Sequence, residues 1–196
     1  FNIPVALANA LSSSLIPALT MAVASHDRKK TLSQIRVSIR FTLLFAVPCS
    51  IGMAVLADPL SRMLFPGKNV HLLIQLTRVG SFAVLLYSLS TITNAILQGL
   101  GHLNLPLYHS MVALVLHLLS LVLFLYAGLG IYGVVLSNIV FALIMCFLNQ
   151  RAIFRHTRFR IDLFRSLVIP MLSGLIMGGA AYVISFVIHI VLPEGL

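Results

Sequence analysis

The chain is a succession of apolar runs, separated by short stretches in which the charge is collected. A membrane-crossing helix needs about 20 mainly apolar residues. Six stretches meet that requirement: Phe1–Ala24, Ile35–Ala57, Leu72–Gln98, Pro106–Ala127, Ile131–Leu148 and Leu167–Leu192. In lipid the backbone finds no water, so it must satisfy its own amides, and a helix does so within one segment. The expected fold class is therefore all-α: an integral membrane bundle of about six transmembrane helices.

Composition agrees. The chain is 60% hydrophobic and 9% charged, where a soluble domain carries about 25% charged residues. A net charge of +9 and a pI near 10.4 would point to nucleic acid in a soluble chain. Here the basic residues are concentrated between spans, as cytoplasmic loops require, and no nucleic-acid partner is expected. Cys49 and Cys146 both lie inside apolar runs and read as small core residues rather than a disulfide. The chain opens at Phe1 within an apolar run and closes at Leu196 just after one. A fragment of a longer protein is expected.

The basic residues orient the spans. Asn149–Arg165 carries Arg151, Arg155, Arg158, Arg160 and Arg165 against the single acid Asp162. Arg and Lys accumulate in cytoplasmic loops, so residues 149–165 are placed inside. Alternation then places residues 25–40 inside as well, with Arg28, Lys29, Lys30, Arg36 and Arg40. The turn Gly99–Leu105 shares that side, and the loop Asp58–Val70 lies outside with Arg62 and Lys68. Phe154, Phe159 and Phe164 are interleaved with the arginines of the last block. Arg151, Arg155, Arg158 and Arg160 are thus candidates for contact with lipid phosphates at the inner interface, beside the simpler reading that they set topology alone.

Two spans carry small and polar residues at helical spacing. In the first these are Asn2, Ala6, Asn9, Ser13, Pro17, Thr20 and Ala24; in the third, Thr77, Ser81, Val84, Ser88, Thr91, Ala95 and Gln98. Steps of three and four residues put each set on one helix face. Such a face serves either close helix packing or the wall of a hydrated cavity. Both stripes are expected to point inward, with Leu85 and Leu86 pointing elsewhere. The cavity candidates are Asn9, Ser13, Ser81, Ser88 and Thr91.

Arg78 is the one charge well inside a predicted span. It either faces the cavity, where intramembrane charge is functional, or snorkels to the outer headgroups. No Asp or Glu lies inside any span, which removes the usual carboxylate of a cation relay from this part of the protein. His109 and His117 are eight residues apart, too far for a metal pair on adjacent turns, and read as polar packing groups. No phosphate loop, nucleophile elbow or HExxH motif is present. Neither an enzyme, a metal site nor a cofactor is expected.

Several short signatures stand in order: Asn2-Ile3-Pro4 with Ser14-Leu15-Ile16-Pro17-Ala18, Val55-Leu56-Ala57-Asp58-Pro59 before Leu64-Phe65, Ala95-Ile96-Leu97-Gln98-Gly99-Leu100-Gly101 with Pro106, and Gly130-Ile131-Tyr132-Gly133. In this order they resemble the second half of a multidrug/oligosaccharidyl-lipid/polysaccharide (MOP) flippase. The branch is the polysaccharide-biosynthesis type that includes stage V sporulation protein B and the lipid II flippases of bacteria. The resemblance implies that residues 1–150 supply five helices of a second transmembrane lobe, 151–166 a basic cytoplasmic loop and 167–196 an additional helix. It implies a transporter of the bacterial cytoplasmic membrane that flips lipid-linked oligosaccharide or peptidoglycan precursors by alternating access. Its partners would be membrane lipids, the lipid-linked glycan and a missing N-terminal lobe. The alternative is a cation-coupled multidrug exporter of the same superfamily.

Overall fold

The computed structural model describes residues 2–65, 70–158, 170–174, 176, 178 and 179. Six helices run in order: α1 Asn2–Ala24, α2 Arg28–Val55, α3 Ala57–Leu64, α4 Val70–Gly99, α5 Asn104–Tyr126 and α6 Ile131–Thr157. Five of them, all but α3, are long and apolar enough to cross a membrane. The first five expected spans are thus present as helices. Of the sixth, Leu167–Leu192, residues 170–174, 176, 178 and 179 are helical and the rest lies outside the described residues.

Parts of the stretches expected between spans are helical. In the stretch Asp58–Val70, expected as a loop, α3 occupies Ala57–Leu64. Pro59 sits in the first turn of α3, where its missing N–H costs nothing. Asp58 and Arg62 then pair at 3.0 Å across one turn. The second correction concerns the basic blocks. α6 continues past Leu148 to Thr157, and α2 begins at Arg28. At 1.5 Å per residue these helices are about 40 Å long, against a hydrocarbon core of about 30 Å. Their basic ends therefore stand beyond the core as helix, so Arg151 and Arg155 are helical while Arg158 caps the end. Charge ends a span without ending its helix.

Local signals explain the boundaries. Asp27 precedes α2 and its carboxylate accepts the Lys30 amide at 3.0 Å, an N-cap that satisfies one free donor. Gly101, Gly128 and Gly130 take positive φ in the turns flanking α5, a conformation glycine adopts without strain.

α4 is the hub. It packs on α1, α2 and α6, and α5 attaches through α6. Leu15 and Leu19 of α1, Ile35, Ile39, Leu43 and Val47 of α2, Ile92, Ile96 and Leu97 of α4, and Ile153 of α6 form one buried cluster. Gly99 allows the close approach of α1 to α4: a Cβ there would lie 2.9 Å from Leu19 Cβ. In lipid such contacts hold helices together by van der Waals fit rather than by expelling water. α5 contrasts with α4. Its buried residues are Pro106 and Ala113, while Leu107, Met111, Val115, Leu119 and Leu123 are exposed. Gly174 and Gly178, in the last described segment, lie against Ile51 of α2.

Candidate functional site

The two polar stripes meet different surroundings. α1 buries Ala8, Ser12, Leu15, Leu19 and Ala22. At about 100° per residue, Asn9, Ser13, Pro17 and Thr20 lie on the other side of that helix, and all four are exposed. Of the two uses expected for this face, packing against other helices or lining a cavity, Asn9 and Ser13 do not serve the first within this bundle: they face away from its helices. The reason is that α1 offers its neighbours the small and apolar residues Ala8, Leu15, Leu19 and Ala22, which close-pack better than an amide does.

On α4, Ser81 and Ser88 are buried and Thr91 half-buried, so this stripe does point inward. Its hydroxyls are satisfied along their own helix: Ser81 Oγ donates to the Arg78 carbonyl at 2.7 Å, Ser88 to Val84 at 2.9 Å and Thr91 to Tyr87 at 2.9 Å. Ser50 of α2 donates to the Ser81 carbonyl at 2.7 Å. The expectation for Leu86 is corrected, because it too is buried and its carbonyl accepts the Cys146 thiol at 3.2 Å. α4 is surrounded, so its apolar residues are covered on more than one face.

Thr77, Gly80 and Val84 open onto a cavity of about 450 Å³ whose other walls include Val5 of α1 and Asn138 of α6. Inside it the Tyr87 hydroxyl donates to Asn138 Oδ1 at 3.3 Å. Arg78 does not share this face. One residue from Thr77, it is turned about 100° round the helix and is exposed, as is Phe82 one turn on.

Polar side chains on α4, α5 and α6 tie three helices together. Asn149 is fully buried on α6. Its Oδ1 meets His109 Nδ1 of α5 at 2.7 Å, and its Nδ2 donates to Thr93 Oγ1 at 3.1 Å and Asn94 Oδ1 at 2.7 Å on α4. An amide oxygen only accepts, so the His109 proton sits on Nδ1. His117 Nδ1 meets the Ser137 carbonyl at 2.8 Å. The two histidines thus hold separate partners as polar packing groups. Asn94 and Asn149 were detectable as amides inside or bordering apolar runs, where a bonding partner is required.

The three turns expected on the inner side lie at one end of the bundle. Arg28, at the start of α2, donates to the Thr157 carbonyl at the end of α6 at 3.4 Å. His102, in the α4–α5 turn, stacks on His156 with ring centroids 3.8 Å apart. Arg155 and Arg158 stand at this end, and Arg160 lies outside the described residues.

Among the described residues no group of three or more His, Cys, Asp or Glu side chains could hold a metal. The arrangement comprises a helix with a polar outward face, a mainly apolar cavity bordered by Thr77, Tyr87 and Asn138, and a basic end. The chain is 31% identical to the lipid II flippase MurJ of Bacillus subtilis (strain 168) over 101 residues, which is 50% of this chain and 19% of that protein. It is 30% identical to the uncharacterized membrane protein YabM of the same organism over 97 residues, 49% of this chain and 18% of that protein. The matched stretches thus span about a fifth of the length of these relatives. The family described as lipid II flippase MurJ matches residues 1–195. With its apolar helices and the ordered motifs, this places the chain in the lipid II flippase MurJ family, multi-pass transporters of the bacterial cytoplasmic membrane within the MOP flippases.

Proposed function

We propose that this chain is part of a transporter that carries a lipid-linked cell-wall precursor, of which lipid II is the type named for its relative, across the membrane by alternating access. The second lobe is residues 1–150, and the rest of the transporter packs against α1. The observation that carries this reading is the outward polar face of α1. Asn9, Ser13 and Thr20 are exposed; the Ser13 and Thr20 hydroxyls return to their own helix, so the cost of facing hydrocarbon alone falls on the Asn9 amide. Facing the other lobe across a hydrated space, they contact sugar or phosphate at little desolvation cost. Alternating access then rocks one lobe against the other around the substrate. The basic end of the bundle is the cytoplasmic one, as the positive-inside rule requires.

The test uses the full-length protein. Ser13→Cys and Asn9→Cys should react with a membrane-impermeant maleimide, and the modified protein should lose lipid II translocation in reconstituted vesicles. A thiol in hydrocarbon ionises too little to react. Failure of both positions to react would show that α1 faces lipid and would overturn the proposal. Unaltered lipid II movement, with export of a cationic dye abolished instead, would establish the drug-exporter reading.

A further inference from the structure

Where α1 ends, α2 begins and α6 ends, the chain encloses a cleft of about 480 Å³. Its wall contains His26, Arg28, Arg155, His156 and Arg158. These residues come from two regions some 130 positions apart, joined by the Arg28–Thr157 hydrogen bond. Among the described residues the acids are Asp27 and Asp58. Asp27 caps α2 through the Lys30 amide and Asp58 pairs with Arg62. No described carboxylate lies in the wall.

The backbone at this cleft is unusual. Two non-glycine residues have positive φ among the described residues, His26 at 55° and Arg158 at 53°. Both line the cleft. Each ends a helix at the position where glycine is the ordinary choice. A left-handed conformation is costly for a side chain with a Cβ, and where it occurs the surroundings give the reason. Positive-inside topology asks only for charge on one side of the membrane. It requires neither convergence of these residues on one cleft nor a strained backbone to present them. Arg151 makes the contrast: it is basic and exposed on the same helix but stands outside the wall.

We infer that this cleft is a binding site for the phosphate of an anionic phospholipid headgroup from the leaflet at the basic end of the bundle. Three guanidiniums present planar donor forks suited to phosphate oxygens. Val23 and Leu100 supply an apolar part of the wall against which a glycerol backbone can rest. The site lies at the ends of membrane-spanning helices, where headgroups are concentrated. It is separate from the α1 face, so the precursor-transport proposal and this one can fail independently.

The experiment is native mass spectrometry of the full-length protein in nonionic detergent, titrated with phosphatidylglycerol or phosphatidylcholine. Phosphatidylglycerol should be retained at least about fivefold better, the scale of one basic residue acting on an anionic lipid. The double variant His26→Gly, Arg158→Gly removes both side chains and suits the left-handed backbone. It should unfold at the same temperature as the parent or higher, yet lose about fivefold or more in phosphatidylglycerol retention. Arg155→Gln, at an exposed helical position, should show the same loss and decides the matter if the glycine variant does not fold. Arg151→Gln should retain phosphatidylglycerol like the parent. Equal retention of the two lipids, parental retention by the cleft variants, or an equal loss in Arg151→Gln would overturn the inference. Displacement by inorganic phosphate at the same concentration as the lipid would assign the cleft to a free anion and overturn the lipid assignment.

Discussion

α1 and α4 carry stripes that are alike in spacing and chemistry, and the fold treats them oppositely. On α4 the stripe lies within the bundle, and Ser81 and Ser88 are buried. On α1 the stripe is the exposed side, and Asn9 and Ser13 face outward, while the Thr20 hydroxyl at the edge of that side reaches the Gly99 carbonyl of α4 at 3.4 Å. Hydrogen bonding does not separate the two. Ser13 donates to the Ala10 carbonyl at 2.8 Å just as Ser88 donates to Val84 at 2.9 Å. A hydroxyl on a helix can always return to its own backbone. What differs is the number of neighbours: α4 is packed on α1, α2 and α6, whereas α1 contacts α2 and α4 and leaves a side open. A polar stripe marks a face as special. Its use depends on what the face meets.

The comparison breaks most visibly under added volume. Ser88→Leu inserts a large side chain at a fully buried position and should destabilise the protein by about 3 kcal/mol, read as a lower unfolding midpoint in detergent. A smaller loss, about 2 kcal/mol, is expected for Asn149→Leu, which leaves His109, Thr93 and Asn94 without their shared partner. An unchanged midpoint there would mean that water takes over those bonds. Gly99→Ala pushes a methyl to 2.9 Å from Leu19 Cβ. It should cost about 1 kcal/mol, and Leu19→Gly, which removes that Cβ, in the same chain should relieve the clash, which a double-mutant cycle would reveal as coupling. Ser13→Leu is the counterpart of Ser88→Leu and should shift stability by less than about 0.5 kcal/mol, while lowering lipid II translocation in the full-length protein. Equal destabilisation by the two Ser→Leu changes would erase the distinction between the helices.

Arg78 belongs to neither stripe. It is exposed, as is Phe82 one turn on, and stands outside the wall of the α4 cavity. That placement follows from helix geometry, since one residue's step from Thr77 turns the side chain by about 100°. Adjacency in sequence to a polar stripe is therefore a poor guide to membership of its face.

Helix type, the first five spans and the gathering of the basic turns at one end were legible in the sequence because lipid is a uniform solvent. Any segment long and apolar enough must cross it as a helix, whatever its neighbours. The ordered short motifs carried the family in the same way. Helix ends were less legible: α2 and α6 run on through their basic residues because a charged residue leaves the membrane without leaving the helix. The tertiary structure alone decided which stripe is covered, that Asn149 joins three helices, and that His26 and Arg158 share one cleft. Each of these depends on contacts between residues far apart in the chain. Such contacts are selected by how side-chain shapes interlock, and no periodicity within a single helix encodes its partner.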